Sequence, residues 1–422
     1  MSNLNLRPTE PTGTVEGRTR TALEGLVVVE HGEFVAAPYC GKMLADMGAR
    51  VIKVERPGHG DYARSWGPFP QDTVDPEASG LFLFLNTNKQ SITLDVRTAA
   101  GARIFRELLR HADVLIDHHS PAELKSLGLD AQSLRELYPQ LLITSIAPFG
   151  QTGPQRDWRG NALITSHAST AAYINPAEGV ADLRNEPPLK APGHLEDLTT
   201  GLIAAINTLG AVIGRKTTGK GVQIDLSEQE AIATTVRTEL AAFTYEKAMP
   251  GRMKARKRSG GMLYKCRTGY VVMSGTGDGF WPGLVKMMGS PAWTQEEWCK
   301  DGISRNQNVE RVNAAITEWT SLHSADDVER AAIEHRVPCA PVRTVADMAA
   351  DTQLAAREFF VEKDHPVAGK LKYPGAPYKF SATPWSMRTP APLLGEHNEA
   401  VLCDLLGYTK AELVRMRRAG VI

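Results

Sequence analysis

The chain lacks an excess of charge of either sign, because its 48 Lys and Arg residues are matched by 48 Asp and Glu residues. Proteins that bind nucleic acid or an anionic membrane surface usually carry a basic excess. The sequence also has no uninterrupted apolar run of the length that a bilayer span requires. With 42% hydrophobic residues in 422, the composition instead favours a globular protein with a large core, without nucleic-acid or membrane partners.

Closely spaced cysteine pairs are absent too. The five cysteines are Cys40, Cys266, Cys299, Cys339 and Cys403. Their wide spacing and odd number argue against a disulfide framework and against a zinc site. We therefore expect a protein of the reducing cytoplasm that binds no metal.

A third absence is the glycine signature of dinucleotide-binding proteins. Residues 26–30 form an apolar run typical of a buried strand, residues 34–49 have a helical pattern, and residues 50–55 form a second strand run. This β-α-β unit predicts a parallel sheet. Its first turn has no GxGxxG, which argues against a nicotinamide or flavin dehydrogenase. The glycines at 275–279 have neither the spacing nor the context of that motif and predict a turn.

The alternation of strands and helices continues beyond this unit. Strand patterns at 91–94, 114–117 and 141–146 are separated by helical patterns at 99–111 and 131–137. We therefore predict an α/β fold with a doubly wound, open parallel sheet, whose ligands bind at the carboxyl ends of the strands. The polar residues expected at those ends are Arg56, Arg97, His118 and His119. Several cations in that position could bind a phosphorylated ligand, although surface charge is the simpler interpretation.

Shifts in composition divide the chain into four segments. We expect an N-terminal arm at 1–22, a large Rossmann-like domain at 23–240, a smaller α+β domain at 241–343, and a segment at 344–422 that returns to the large domain. The basic run at 252–258 indicates a linker or flexible loop at the first boundary. The last segment is rich in proline and is predicted to contain few strands.

A helix predicted to begin at Leu198 is the most informative single element. Its apolar residues recur at steps of three and four, which predicts one buried stripe. The residues of that stripe are Leu202, Ile203, Ile206, Leu209, Val212 and Ile213. Asp197 precedes the helix and could be a structural N-cap. The same position would also keep a nucleophilic carboxylate ionised near the positive end of the helix dipole, and local sequence does not decide between the two.

Ordered motifs through the whole chain resemble one enzyme family. They are NKQSITLD at 88–95, ADVLIDHHSP at 112–121, ITSIAPFGQTGP at 143–154, EDLTTG at 196–201, VPCAPV at 337–342 and PAPLLGEHNEAVL at 390–402. In this order and spacing the chain, from residue 23 to 422, resembles the family III coenzyme A transferases. That group includes formyl-CoA transferase, carnitine CoA-transferase, benzylsuccinate CoA-transferase and 2-methylacyl-CoA racemases.

The resemblance implies a fold and a mechanism that the spacing alone does not show. It implies two ring-shaped chains interlocked as a dimer, either a homodimer or a heterodimer with a paralogous subunit. It also implies that Asp197, four residues before Gly201, attacks an acyl-CoA to form an anhydride and then an aspartyl-CoA thioester on the way to an acceptor acid. Coenzyme A and acyl-CoA would be substrates, with no permanently bound cofactor, and succinyl-CoA is one candidate donor.

The resemblance further implies a set of binding residues. The positions matched to coenzyme A contacts are Arg56, Leu94, Arg97, His118, His119, Lys125 and Arg159, with Val35 and Ala36 contributing backbone. The residues matched to the substrate side are Glu33 and the glycine loop Ser259, Gly260 and Gly261. The basic run beside that loop could meet the free carboxylate of a dicarboxylic acyl group, or could simply face solvent.

Two departures from the family pattern leave alternatives open. Ala162 stands where relatives carry an acidic or amide side chain, which raises the possibility of a non-catalytic subunit in a heteromeric transferase such as benzylsuccinate CoA-transferase. Asn161 stands where the racemases place a proton-exchanging histidine. That departure argues against an acyl-CoA racemase or isomerase, for which His167 is the only nearby substitute.

Overall fold

The computed structural model describes residues 20–176, 180–252 and 262–422, and it is built around a six-stranded sheet. The strands are β1 (Val27–His31), β2 (Arg50–Glu55), β3 (Lys89–Thr93), β4 (Val114–Asp117), β5 (Leu142–Ala147) and β6 (Gln223–Ser227). Every neighbouring pair is parallel, and the order across the sheet is β3-β2-β1-β4-β5-β6. The chain order reverses direction between β1 and β4, which creates a crevice at their carboxyl ends.

Helices cover both faces of this sheet. The helices between β1 and residue 246 are α1 (Ala36–Asp46), α2 (Gly80–Leu85), α3 (Ala99–Leu109), α4 (Pro121–Ser126), α5 (Ala131–Leu137), α6 (Ala162–Ala168), α7 (Leu195–Thr218), α8 (Glu228–Ala233) and α9 (Arg237–Glu246), of which α1, α3, α4, α5 and α7 pack in the cores on the sheet. Side chains alternate along the strands, so that Val29 and Ile52 pack in one core with α3, while Val28 and Val51 pack in another with α1 and α7. Both cores exclude water, because the strands carry apolar side chains on both faces of the sheet. The predicted α/β class and parallel sheet are confirmed.

Helix α7 buries a different face from the one predicted. Its buried residues are Glu196, Asp197, Thr200, Gly201, Ala204, Ala205 and Thr208. Leu202, Ile206 and Ile213 are instead exposed, and Ile203, Leu209 and Val212 are only half-buried. The predicted stripe is wrong because α7 packs so closely on α1 that only small side chains fit between the two backbones.

Of the residues that the structure describes, α7 is also the one helix long and apolar enough to cross a membrane by length and composition. The best window of this 24-residue helix has a mean hydropathy of 1.3, and 33% of that window is buried. The helix packs along α1, and its first turn carries the buried acidic residues Glu196 and Asp197.

A second compact unit comprises, among the described residues, 180–187 and 262–357. Its strands are β7 (Met262–Lys265), β8 (Tyr270–Met273) and β9 (Cys339–Pro341), and its helices are α10 (Trp281–Met287), α11 (Gly302–Gln307), α12 (Val309–Ser321), α13 (Ala325–Glu334), α14 (Val345–Ala349) and α15 (Thr352–Ala356). The predicted hairpin around Thr268 and Gly269 is present, with β7 and β8 antiparallel and Gly269 at a φ of 75°. The turn predicted at 275–279 is present as well.

The last part of the chain belongs to the first unit, whose described residues are 20–176, 188–252 and 358–422. It contains an antiparallel hairpin of β10 (Phe360–His365) and β11 (Gly369–Pro374), and ends with α16 (Lys410–Arg418). The expected boundaries at 240 and 343 are therefore displaced, because α9 continues beyond 240 and the helices α14 and α15 extend the second unit to 357. The description of 344–422 as poor in strands is also wrong for the hairpin. Its proline residues lie largely outside the paired residues.

Candidate functional site

A cavity of about 720 Å³ opens at the carboxyl ends of the strands of the first unit. The residues just after β1, β2 and β4 contribute Gly32, Arg56 and His118 to its wall. This is the edge of the sheet at which the strand order reverses, where open α/β sheets bind their ligands. Its volume lies within the usual range for a small-molecule site.

Asp197 lies in the wall of this cavity, but it is not an N-cap. Helix α7 begins at Leu195, its N-cap residue is His194, and no side chain caps it. The helix begins earlier than the apolar pattern indicated. That pattern could not detect the first turn, because the buried residues there are the two acids Glu196 and Asp197. Asp197 is thus the third helical residue, and its side chain points into the cavity with 6% of the residue exposed.

The negative charge of the Asp197 carboxylate is only partly balanced by hydrogen bonds and nearby cations. Its Oδ2 atom is buried and makes no hydrogen bond within the described residues. The His194 Nδ1 atom lies 3.4 Å away, a contact that does not have hydrogen-bond geometry. Burial, together with the charge of Glu228, raises the pKa of Asp197 to about 6, although His194 and His118 oppose the rise. The helix dipole therefore does not dominate this carboxylate, contrary to the sequence-based argument.

Three aromatic rings and His194 form one side of the cavity. The Phe34 ring meets the ring of His194 edge to face, with the centroids 5.1 Å apart, and the Trp66 ring meets it at 5.8 Å. Tyr62 completes the group at 5.5 Å from Phe34. These contacts place an apolar wall beside the carboxylate of Asp197, which explains much of its desolvation. Sequence reasoning missed this group, because Phe34, His194 and the segment that carries Tyr62 and Trp66 lie far apart in sequence.

The expected phosphate-binding arginines lie in the cavity wall and are paired with acids. Arg56 donates to both carboxylate oxygens of Glu33, at 2.8 and 3.0 Å, and Arg97 forms a two-point contact with Asp95 at 2.8 and 2.9 Å. Their side chains are 52% and 58% exposed, so several donors of each guanidinium face solvent. Leu94 also lines the cavity.

His119 belongs to a hydrogen-bonded group with His31 and Asp117. The Nδ1 atoms of His31 and His119 lie 2.8 and 3.3 Å from Oδ2 of Asp117, and the two rings stack at 4.1 Å. Burial tends to lower the pKa of His119, but the charge and hydrogen bond of Asp117 raise it to about 9. The donor atoms of the three side chains are close enough to share a cation. Because both Nδ1 atoms face the Asp117 carboxylate, we assign the group as a hydrogen-bonded triad whose His119 adds positive charge to the cavity.

The other expected contacts do not line the cavity. Val35 and Ala36 are buried at the start of α1, while Lys125 and Arg159 are exposed and outside the cavity wall. The glycine loop of Ser259, Gly260 and Gly261 lies outside the described residues. Conversely, Glu228 and His194 line the cavity and were not selected from the sequence. Glu228 directly follows β6, so the rule that ligands bind at strand ends could have identified it.

Comparison with known proteins identifies the family. The model of CoA-transferase family III matches residues 23–398. Succinyl-CoA–D-citramalate CoA-transferase of Chloroflexus aurantiacus is 29% identical over 412 residues, covering 95% of this chain and 98% of its own. The β subunit of succinyl-CoA–L-malate CoA-transferase from the same organism is 31% identical over 423 residues, covering 97% and 100%.

A solved structure agrees with these relatives. A protein of Brucella suis described as a CAIB/BAIF family protein superposes with a TM-score of 0.81 at 29% identity, covering 92% of this chain and 100% of its own. The chain is a member of CoA-transferase family III, and its activity is that of a CoA-transferase acting on CoA thioesters.

Proposed function

We propose that this chain transfers coenzyme A from a dicarboxylic acyl-CoA, such as succinyl-CoA, to a carboxylic acid, with Asp197 as the covalent nucleophile. The observation that carries the proposal is the Asp197 carboxylate itself, which is buried in the cavity wall with one oxygen free of hydrogen bonds. An unsolvated carboxylate beside an open cavity is suited to attack an acyl carbon. Most other buried carboxylates of this unit are committed to ion pairs.

The proposed reaction needs no net proton transfer. An oxygen of Asp197 forms a bond to the thioester carbon, and the C–S bond breaks with its electron pair leaving on the thiolate. The thiolate then attacks the Asp197 carbonyl of the resulting anhydride, which releases the donor acid as a carboxylate and leaves an aspartyl-CoA thioester. An acceptor carboxylate reverses the two steps and departs as the new CoA thioester, which regenerates Asp197.

The covalent step can be trapped directly. Wild-type protein incubated with succinyl-CoA and then treated with hydroxylamine or borohydride should carry a modification on the peptide that contains Asp197. Asp197→Asn should show none. Glu196→Gln is the matched control, because Glu196 is an adjacent buried acid that is committed to Lys190 at 2.9 Å, and it should keep the label. An active wild-type enzyme without any modification at Asp197 would rule the mechanism out.

The dicarboxylic preference is supported by the relatives named for succinyl-CoA and by cations in the cavity wall. Lys190 and His119 both line the cavity, and Asp117 favours the protonated form of His119. A second carboxylate on the acyl group could pair with such cations, and charge pairing in a partly desolvated site discriminates strongly. Succinyl-CoA should therefore have a kcat/KM more than about tenfold that of butyryl-CoA, which has the same chain length without the charge. Equal values for the two donors would contradict the preference but leave the covalent mechanism intact.

A second candidate is a subunit that requires a paralogue for activity. Ala162 lines the cavity at the position where relatives carry an acidic or amide side chain, and one similar protein is named as a β subunit. Exposed apolar residues on α7, including Leu202 and Ile206, offer a surface that a second subunit, identical or paralogous, could cover. The purified chain should be assayed alone, with its mass in solution measured. A correctly folded chain that neither turns over nor forms the Asp197 adduct would favour this candidate.

A further inference from the structure

His118 and Glu228 form a buried pair beside the nucleophile. The His118 Nε2 atom lies 3.0 Å from Oε1 of Glu228, and both residues line the same cavity as Asp197. Glu228 is 4% exposed. His118 follows β4 and Glu228 follows β6, and β5 lies between those strands. Two titratable side chains therefore meet across a strand at the edge where the substrate would bind.

The backbone around the pair is arranged to allow this approach. A Cβ atom at Gly32 would lie 2.9 Å from Cβ of His118, so only glycine leaves room for the histidine after β4. On the other side, Ser227 caps α8 by accepting a hydrogen bond from Glu230 N at 3.2 Å. That cap fixes the start of α8 at Glu228 and directs its side chain into the cavity.

The His118 ring has one close carboxylate partner, because its Nε2 atom lies within hydrogen-bond distance of Oε1 of Glu228. Burial tends to lower the pKa of His118, but the hydrogen bond and the charge of Glu228 raise it overall. The contact with Glu228 thus favours the protonated form of His118, which lines the same cavity as Asp197.

We propose that Glu228 and His118 are positioning residues for Asp197: Glu228 holds His118 in place as a cation, and the two side chains set the charge around the nucleophile with opposite signs. The inference rests on the proposed role of Asp197 as the attacking group. A nearby anion makes the Asp197 carboxylate more basic and thus a stronger nucleophile, whereas a nearby cation keeps it ionised. The pair would balance these two demands.

Other charged groups near Asp197 are largely committed elsewhere. His194, on the same helix, lies 3.4 Å from its Oδ2, and Lys190 pairs with Glu196. On α1, which packs against α7, Lys42 pairs with Asp46 at 2.9 Å. This leaves His118, Glu228 and His194 as the groups that act on the charge of Asp197, in agreement with the causes of its raised pKa.

The charge also moves during the reaction in a way that suits this arrangement. When Asp197 attacks, its carboxylate becomes a neutral anhydride and the negative charge passes to the departing thiolate. The repulsion between Glu228 and Asp197 is relieved in that step, and the His118 cation remains in the cavity wall to attract the thiolate. Glu228 therefore destabilises the reactant carboxylate, and His118 stabilises the departing thiolate.

The test is the titration of Asp197 in three variants, followed by the 13C resonance of its side-chain carboxyl group. Protein with 13C-labelled aspartate should show one resonance that is absent from Asp197→Asn, and its titration can be read without turnover. Glu228→Gln should shift the midpoint to lower pH even if His118 loses its charge as well, because the repulsion by Glu228 outweighs the attraction by His118, and His118→Gln should shift it to higher pH. Glu230→Gln, on the same helix but exposed and outside the cavity, should shift nothing.

The pH dependence of kcat provides a second readout. Its acidic limb should move to lower pH in Glu228→Gln and to higher pH in His118→Gln, as in the titration. Glu228→Asp should restore part of the wild-type profile. A purely structural role would lower activity in both variants without opposite shifts. Unchanged midpoints, or shifts of the same sign, would overturn the inference. A failure of this inference can be told apart from a failure of the proposed function by the covalent label at Asp197. Active wild-type protein without the label would contradict the covalent mechanism, whereas labelled protein with unchanged midpoints would contradict only the role of the pair.

Discussion

Gly201 of α7 lies so close to Ala36 of α1 that a Cβ atom at residue 201 would be 2.5 Å from the Ala36 carbonyl oxygen. The contact occurs one helical turn after Asp197, and the Tyr39 side chain would also be within 3.0 Å. The absent side chain thus sets the distance between the two helices. Because α1 directly follows the cavity loop after β1, this distance also sets where the nucleophile lies.

Gly201→Ala should therefore destabilise the protein. The clash is with backbone, which cannot move aside cheaply, so we expect a loss of about 1–3 kcal/mol in the free energy of unfolding. Gly210→Ala in the same helix is the control, because no described atom lies within 4 Å of a Cβ built there. It should be neutral or stabilising by up to about 1 kcal/mol. Chemical denaturation at fixed protein concentration measures both, and equal effects would refute the close-packing explanation.

Asp197→Asn should stabilise the protein at neutral pH. The pKa of Asp197 is raised from 3.8 to about 6, so the folded state binds this proton more tightly than the unfolded chain does. Ionisation in the folded state therefore costs stability, which wild type loses as the pH rises from about 4 through 6. The variant should gain about 1–3 kcal/mol at pH 7.5, at roughly 1.4 kcal/mol per pKa unit, and little at pH 4. A gain that does not depend on pH would show that desolvation of the carboxylate is not its cause.

Arg56→Ala and Arg97→Ala should weaken the binding of acyl-CoA. Each guanidinium lines the cavity with donors left free for a phosphate, and the loss of one charged hydrogen bond costs about 1.5–3 kcal/mol. We expect the KM for acyl-CoA to rise about tenfold or more, which corresponds to at least about 1.4 kcal/mol. Arg103→Ala is the matched control, since Arg103 is 57% exposed and paired with Glu107 but lies outside the cavity. Unchanged affinity for coenzyme A in calorimetry would remove an arginine from the site.

The protein should not exchange the α-proton of a 2-methylacyl-CoA. Asn161, at the position where racemases place a histidine, uses its side-chain oxygen to accept hydrogen bonds from Leu163 N and Ile164 N at the start of α6. His167 is exposed, bonds to the Leu163 carbonyl oxygen and does not line the cavity. Neither residue offers a proton to the substrate. Incorporation of deuterium from solvent at the α-carbon, at a rate similar to acyl transfer, would contradict this.

The sequence predicted the sheet but not the packing of α7. Apolar strand runs separated by helical patterns define a parallel sheet, because each strand is buried on both faces. The apolar stripe of α7, with Leu202 and Ile206, was instead predicted to be the buried face. Periodicity shows that large apolar residues share a face, but not whether that face meets this chain. Gly201 and Ala204, on the opposite face, are buried because small residues allow two helices to pack closely.

The sequence by itself determined the family, the α/β class and the residues that strand ends bring to the cavity, including Arg56, Arg97 and His118. These depend on local patterns and ordered motifs, which are properties of neighbours along the chain. Only the tertiary structure decided that Glu228 meets His118 across β5, that His194 rather than Asp197 stands at the N-cap, and that the pKa of Asp197 is raised. Burial and charge interactions depend on distances between segments far apart in sequence, and such distances exist only once the chain has folded.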